Sequence, residues 1–129
     1  MDTNILVYAY SKTELEKQQV ARDLVLNNNS FISSQVLQEL TNPLTRKFNV
    51  DFDSAITTLI ECCKNYNLHI NTQTTILKAC SIAKRYRYSF YDSLIISAAL
   101  ETGCTKLYSE DMNNGQLIEE KLTIVNPFT

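Results

Sequence analysis

Four acidic residues stand where an α/β chain places its chemistry. Ligands of an open α/β sheet bind beyond the carboxyl ends of the strands, so the polar side chains to follow are those at strand-to-helix junctions. Asp2 precedes the apolar segment 5–8, and Glu39 lies on a predicted helix just after a short strand over 30–33. Asp92 opens a predicted helix over 91–102, and Asp111 follows a predicted strand over 106–108. Each has an ordinary reading when taken alone. Asp92 sits three residues after Ser89, the spacing of a capping box, where the helix dipole also favours an acid. Glu39 reads as a solvated helix residue, Asp111 as a turn or cap, and Asp2 as a frayed terminal residue. Convergence changes the chemistry. Two unit charges ~5 Å apart at an effective dielectric of ~20 repel by roughly 3 kcal/mol, so such a cluster holds protons or recruits a cation. An all-oxygen, charge-dense site suits Mg²⁺ or Mn²⁺ rather than zinc. Such ions activate a water, stabilise charge on a phosphate during in-line attack, and let an acidic protein accept a polyanion.

The elements that must position these acids follow from periodicity. Apolar spacing predicts helices over 13–26, 35–48, 53–66, 72–85 and 91–102, with the 27–29 asparagine run as a turn. Asn42-Pro43 is expected to kink or divide the second of these. In the third, Ile56, Leu59, Ile60 and Cys63 recur at i, i+3, i+4, i+7 and predict the buried face; in the fourth, Ile76, Ala79, Cys80 and Ala83 do the same. Tyr91, Leu94, Ile95 and Ala98 mark the last helix, which Gly103 ends. Short buried strands are expected over 30–33, 68–70, 106–108 and 122–125. Helices alternating with short buried strands mean an α/β fold with a short parallel sheet flanked by helices.

Composition bounds the rest. A length of 129 residues with 44% hydrophobic and 20% charged side chains predicts one globular domain over 1–129. Two glycines and two prolines exclude a glycine-rich phosphate loop and argue against an all-β sandwich. The net charge of −2 gives no global attraction to nucleic acid, so such a partner needs a local basic patch or bound cations. The longest uncharged apolar run, 94–100, is too short for a bilayer, and no basic region followed by an apolar stretch marks a signal peptide. Cysteines at 62, 63, 80 and 104 form no zinc-type spacing and read as reduced, mostly buried thiols of a cytoplasmic protein.

The motifs around the acids carry a resemblance. Asp2-Thr3-Asn4-Ile5-Leu6-Val7-Tyr8-Ala9 resembles the opening motif of PIN-domain nucleases. Phe90-Tyr91-Asp92-Ser93-Leu94-Ile95 resembles their third acidic motif and Leu107-Tyr108-Ser109-Glu110-Asp111-Met112 their fourth, with Glu39 in Gln35-Val36-Leu37-Gln38-Glu39-Leu40 between them. Order and spacing fit over essentially the whole chain, and the length is similar to that of VapC-type toxins. The resemblance implies a three-layer PIN-like fold and a Mg²⁺- or Mn²⁺-dependent endoribonuclease that hydrolyses RNA with metal-activated water. It implies a homodimer silenced by a small antitoxin protein. Asp2, Glu39, Asp92 and Asp111 become the catalytic, metal-binding carboxylates, and Asn4, Ser93 and Ser109 polar groups behind them. Two departures stand out. Family members usually carry a few apolar residues before the first aspartate, forming the central strand, whereas only Met1 precedes Asp2; and Arg87 stands near where a glycine often ends the helix before the third motif.

Lys84-Arg85-Tyr86-Arg87-Tyr88 is the densest basic segment. Lys84, Arg85 and Arg87 are candidate contacts to an RNA backbone, with a tyrosine stacking a base. The alternative is a helix C-terminus whose cations favour the dipole and whose tyrosines are half-buried, the reading favoured for Tyr86. His69 lies in a short apolar strand and reads as structural, and no nucleophile system surrounds it or the cysteines. Two other classes compete with the nuclease: a catalytically degenerate PIN-fold interaction protein, and a receiver-type phosphoryl-accepting domain, which would need paired acids after its first strand.

Overall fold

A computed structural model describes residues 2–10, 14–27 and 30–129, without the side chains of residues 4 and 25–27. Asp2 starts helix α1 (Thr3–Ala9), so the apolar segment after it is helical. Then come α2 (Leu15–Asn27), β1 (Phe31–Ser33), α3 (Ser34–Arg46), α4 (Phe52–Asn65), β2 (Asn67–His69), α5 (Gln73–Tyr86), α6 (Phe90–Glu101), β3 (Lys106–Tyr108), β4 (Leu117–Ile118) and β5 (Leu122–Val125). The mixed α/β architecture matches the expectation from periodicity. Thr13 and the turn at 28–29 lie outside the described residues.

The sheet is in two pieces. β1 pairs with β2 in parallel, placing Phe31 opposite Asn67 and Ser33 opposite His69. β5 lies between β3, its parallel partner, and the short antiparallel β4, which periodicity did not suggest. Helix α6 packs against both β1 and β3. It is buried from Ser93 to Ala99 on every side, as befits a helix that is apolar nearly all round. Its Ile95, Ile96 and Ala99 form a core with Leu107, Ile118, Leu122 and Ile124, while Leu6, Ile32, Val36, Leu40 and Leu44 form another.

Several expectations need correction. Helix α3 runs unbroken through Pro43. Its buried Val36, Leu40 and Leu44 straddle the proline within one core, and ~1.5–3 kcal/mol per buried leucine offsets the roughly 3 kcal/mol cost of an interior proline. Of the predicted apolar stripe of α4 only Leu59 packs on the core: Ile56 and Ile60 are 54% and 51% exposed, Cys63 is exposed, and Ala55 and Cys62 are buried instead. On α5 Ala79 is buried as expected, but Thr75 and Ile82 join it while Ile76 and Cys80 are exposed. The thiols are therefore not mostly buried: Cys62 alone is, with Cys104 half-buried. β2 is also largely exposed, so it is not the buried strand its apolar residues suggested.

Helix α5 ends at Arg87 in the left-handed conformation, φ 62° and ψ 35°, its N–H donating to the Ala83 carbonyl. A side chain in that region is strained, and glycine is not. Arg87→Gly should therefore stabilise the fold by about 0.5–1 kcal/mol, roughly 2–5 °C in a thermal melt. A lower Tm would mean that contacts of the guanidinium outweigh the backbone strain.

Candidate active site

The acidic residues are gathered by the starts of three helices and the end of one strand. Asp2 is buried and caps α1, its Oδ1 accepting the Thr3 N–H at 2.6 Å. Its own N–H donates to the Tyr108 carbonyl at 2.9 Å, and its Oδ2 accepts the Ser109 hydroxyl at 2.8 Å. Asp2 is thus fixed to the end of β3 rather than frayed. Burial pushes its carboxyl above the ordinary range; the Ser109 and Thr3 hydrogen bonds pull it down, and the charge of Asp92 pushes it up again.

Glu39 is exposed on α3, one turn beyond Gln35. Its Oε1 accepts the Thr3 hydroxyl at 3.0 Å and the Gln35 amide Nε2 at 3.1 Å. The same Nε2 reaches the Tyr91 carbonyl on α6 at 3.1 Å. Thr3 therefore ties α1 to α3, and Gln35 ties α3 to the first turn of α6. Sequence reasoning overlooked both. The signal available was the i, i+4 spacing of Gln35 and Glu39 and the neighbour relation of Thr3 and Asp2.

Asp92 is half-buried in the first turn of α6. The cap there is Ser89, whose Oγ accepts the Asp92 N–H at 3.1 Å, so the cap is made by the serine and the backbone of Asp92. Ser93 is fully buried, and neither its Oγ nor the Oε1 of buried Gln35 has a hydrogen-bond partner among the described residues. Asp111 is exposed on the bend after β3, two residues beyond Ser109. Its neighbour Glu110 is engaged by Lys17, whose Nζ lies 3.2 Å from the carboxylate and 4.5 Å from the centre of the Tyr8 ring. The Asn4 side chain lies outside the described residues.

The structure thus links Asp2 and Glu39 through Thr3, and α3 to the first turn of α6 through Gln35, with the charge of Asp92 felt at Asp2. Among the described residues no three acidic, histidine or cysteine side chains stand close enough to hold a metal ion. The Ser109 hydroxyl and the Thr3 N–H bond Asp2, and the Thr3 hydroxyl and the Gln35 amide bond Glu39. The donor set still fits a divalent cation in kind. It is oxygen-only, it includes a buried carboxylate whose ionisation burial opposes, and the buried oxygens of Ser93 Oγ and Gln35 Oε1, on the helices that carry Asp92 and Glu39, lack partners among the described residues.

Lys84, Arg85 and Arg87 are all exposed near the end of α5. The tyrosines between them are occupied. Tyr86 accepts the Glu119 N–H at 2.8 Å, and Tyr88 accepts the Asn113 N–H at 3.1 Å while donating to Gln116. They fasten the segment before and after β4 to α5. His69 is likewise structural, 3.0 Å from the Glu101 carboxylate and 3.4 Å from the Thr75 hydroxyl.

The family model described as the PIN domain matches residues 1–114 of the 129. No curated protein matches the chain.

The folded chain holds the Asp2 proton more tightly than the unfolded chain does, because burial opposes its charge. That advantage is complete below the ordinary aspartate pKa of 3.8 and is lost as pH rises through the elevated value. With divalent cations chelated, Asp2→Asn should therefore gain in Tm over the parent as pH rises from 3.5, levelling off once Asp2 is ionised. A Tm difference that is flat or shrinks across that range would show that the Ser109 and Thr3 hydrogen bonds outweigh burial.

Proposed function

We propose that this chain, which belongs to the PIN-domain family of nuclease type, is a Mg²⁺- or Mn²⁺-dependent endoribonuclease and the toxin of a type II toxin–antitoxin pair. The observation that carries this reading is the tying of Glu39 to Asp2 through Thr3, and of Glu39 to the start of α6 through Gln35, beside the charge of Asp92. Such an arrangement has no evident use in stability, since burying the Asp2 carboxylate within the field of Asp92 is unfavourable without a counter-charge.

Asp2, Glu39 and Asp92 would hold the cation, with Asp111 joining them from the bend after β3. When bound, the cation supplies charge neutralisation for the phosphodiester and lowers the pKa of the attacking water. Ser109 keeps Asp2 oriented by donating to Oδ2, and Thr3 and Gln35 present Glu39 through its Oε1. Ser93, buried one residue after Asp92, and Asn4, by its place in the first motif, would be the further polar groups of the site. Hydrolysis needs no covalent enzyme intermediate, and the exposed Lys84, Arg85 and Arg87 would receive the RNA backbone.

The partner proposals rest on the outward stripe of α4. Phe52, Ile56 and Ile60 are 70%, 54% and 51% exposed at successive turns, and Leu77 on α5 is 61% exposed. Apolar side chains of that size in a row suit a protein interface, here a second copy of the chain or a small antitoxin. A second reading, a PIN-fold interaction protein that does not cleave, is favoured by the lack of a three-ligand group among the described residues.

Asp92→Asn should lower cleavage of a mixed RNA pool in Mg²⁺ or Mn²⁺ by roughly 100-fold or more. In chelator its Tm should be no lower than that of the parent, because a like charge beside Asp2 is removed. Cleavage equal to the parent's would refute the site assignment. A parent that binds Mn²⁺ yet cleaves no RNA in the pool would favour the interaction protein.

A further inference from the structure

We propose that Tyr91, braced by Phe90, is a stacking platform for one unpaired base, so that the substrate class is RNA that is single-stranded beside the cleaved bond. The proposal rests on the nuclease reading above and adds what the acids do not decide, which form of RNA is admitted. Of the seven tyrosines, Tyr91 alone is exposed, at 65%; the other six are buried or half-buried. Phe90 is 39% exposed, and the two ring centres lie 5.4 Å apart at an interplanar angle of 70°.

Position and charge select the occupant. Tyr91 immediately precedes Asp92 in the first turn of α6, and its carbonyl accepts the same Gln35 Nε2 that bonds Glu39. Successive residues of a helix are turned by roughly 100°, so the ring stands beside the Asp92 carboxylate and not over it. A base stacked on the ring leaves its own phosphates free to meet the acids and their cation. Lys84, Arg85 and Arg87 are exposed on the segment that leads into α6 and supply positive charge for the phosphates further along. An open aromatic face between exposed cations and a carboxylate site matches a polyanion that carries flat rings, which is a nucleic acid with its bases turned outward.

The tyrosines within the basic segment are spoken for. The Tyr86 and Tyr88 hydroxyls accept the N–H groups of Glu119 and Asn113, and the Arg85 guanidinium lies 5.1 Å from the centre of the Tyr86 ring. Tyr91 has only Phe90 against its ring, in an edge-to-face contact that restrains it before RNA arrives, so stacking costs less freedom. In a duplex the bases are stacked on one another and offer no open face, which excludes paired RNA from the platform. Stacking tolerates every base, so Tyr91 selects for the unpaired state and not for a particular nucleotide.

The test measures fluorescence anisotropy of a labelled RNA of about 12 nucleotides, built from adenine and cytosine so that it does not pair with itself, in chelator and low salt. The same RNA annealed to its complement is the paired probe. Because Tyr91 is exposed, its variants should melt within about 2 °C of the parent. Tyr91→Ala and Tyr91→Leu should weaken binding of the single strand roughly tenfold, and Tyr91→Phe should stay within about twofold of the parent. None of the three should change binding of the duplex. The proposal is overturned if Tyr91→Ala binds the single strand like the parent, if Tyr91→Leu matches Tyr91→Phe, or if Tyr91→Ala weakens duplex binding equally. It is also overturned if the parent does not bind the single strand, as expected were the aromatic pair a protein contact. Cleavage of the same RNA by the parent in Mn²⁺, scored alongside, separates the two readings: with cleavage, only the platform falls; without it, the nuclease reading falls too.

Discussion

The site depends on one buried charge and the way it is held. Asp2 is withdrawn from water, yet its carboxylate is where α1 begins, where the end of β3 is fastened, and where the field of Asp92 is felt. Removing a carboxylate from water is unfavourable by several kcal/mol unless hydrogen bonds or a cation compensate. Here two donors, the Thr3 N–H and the Ser109 hydroxyl, compensate in part, and the carboxyl still sits above its ordinary range. The fold therefore holds a carboxyl whose ionisation burial opposes, and under the proposed reading a divalent cation would relieve that opposition. The relation is one of linkage: whatever binds the ionised form of the folded chain also stabilises the fold.

The rest of the site is built outward from that residue by short side chains. Thr3, adjacent to Asp2, turns its hydroxyl to Glu39, and Gln35 carries the connection from Glu39 to the backbone of α6. Because Gln35 bonds a carbonyl one residue before Asp92, a shift of α3 would be felt at the first turn of α6. Pro43 does not interrupt this, since the helix that carries Gln35 and Glu39 is held by its buried stripe on either side of the proline. The same burial explains why α3, rather than a loop, presents Glu39.

Much of this was legible in the residues. The positions of Asp2, Glu39, Asp92 and Asp111 at junctions, and the α/β alternation, follow from periodicity and from the motifs. What was not legible was the direction in which helices face. The stripe of Ile56, Leu59, Ile60 and Cys63 has the spacing of a core face, yet only Leu59 of it touches the core, and α4 buries Ala55 and Cys62 instead. Periodicity reports that a helix has an apolar side; it does not report whether that side meets this chain's core or a partner. Thr3 and Gln35 escaped notice because neither is ionisable, and their importance lies in tertiary hydrogen bonds that no local pattern encodes. The division of the sheet was also hidden, since strand periodicity says nothing of which strands pair.

The most direct test of a cation-dependent carboxylate site is calorimetric titration of Mn²⁺ into the full chain at neutral pH, with Asp2→Asn and Glu39→Gln titrated alongside. At least one saturable site in the parent, weakened strongly in both variants, is the expected result. No binding by the parent, or binding that both variants retain unchanged, would contradict the assignment of these carboxylates to one cation site.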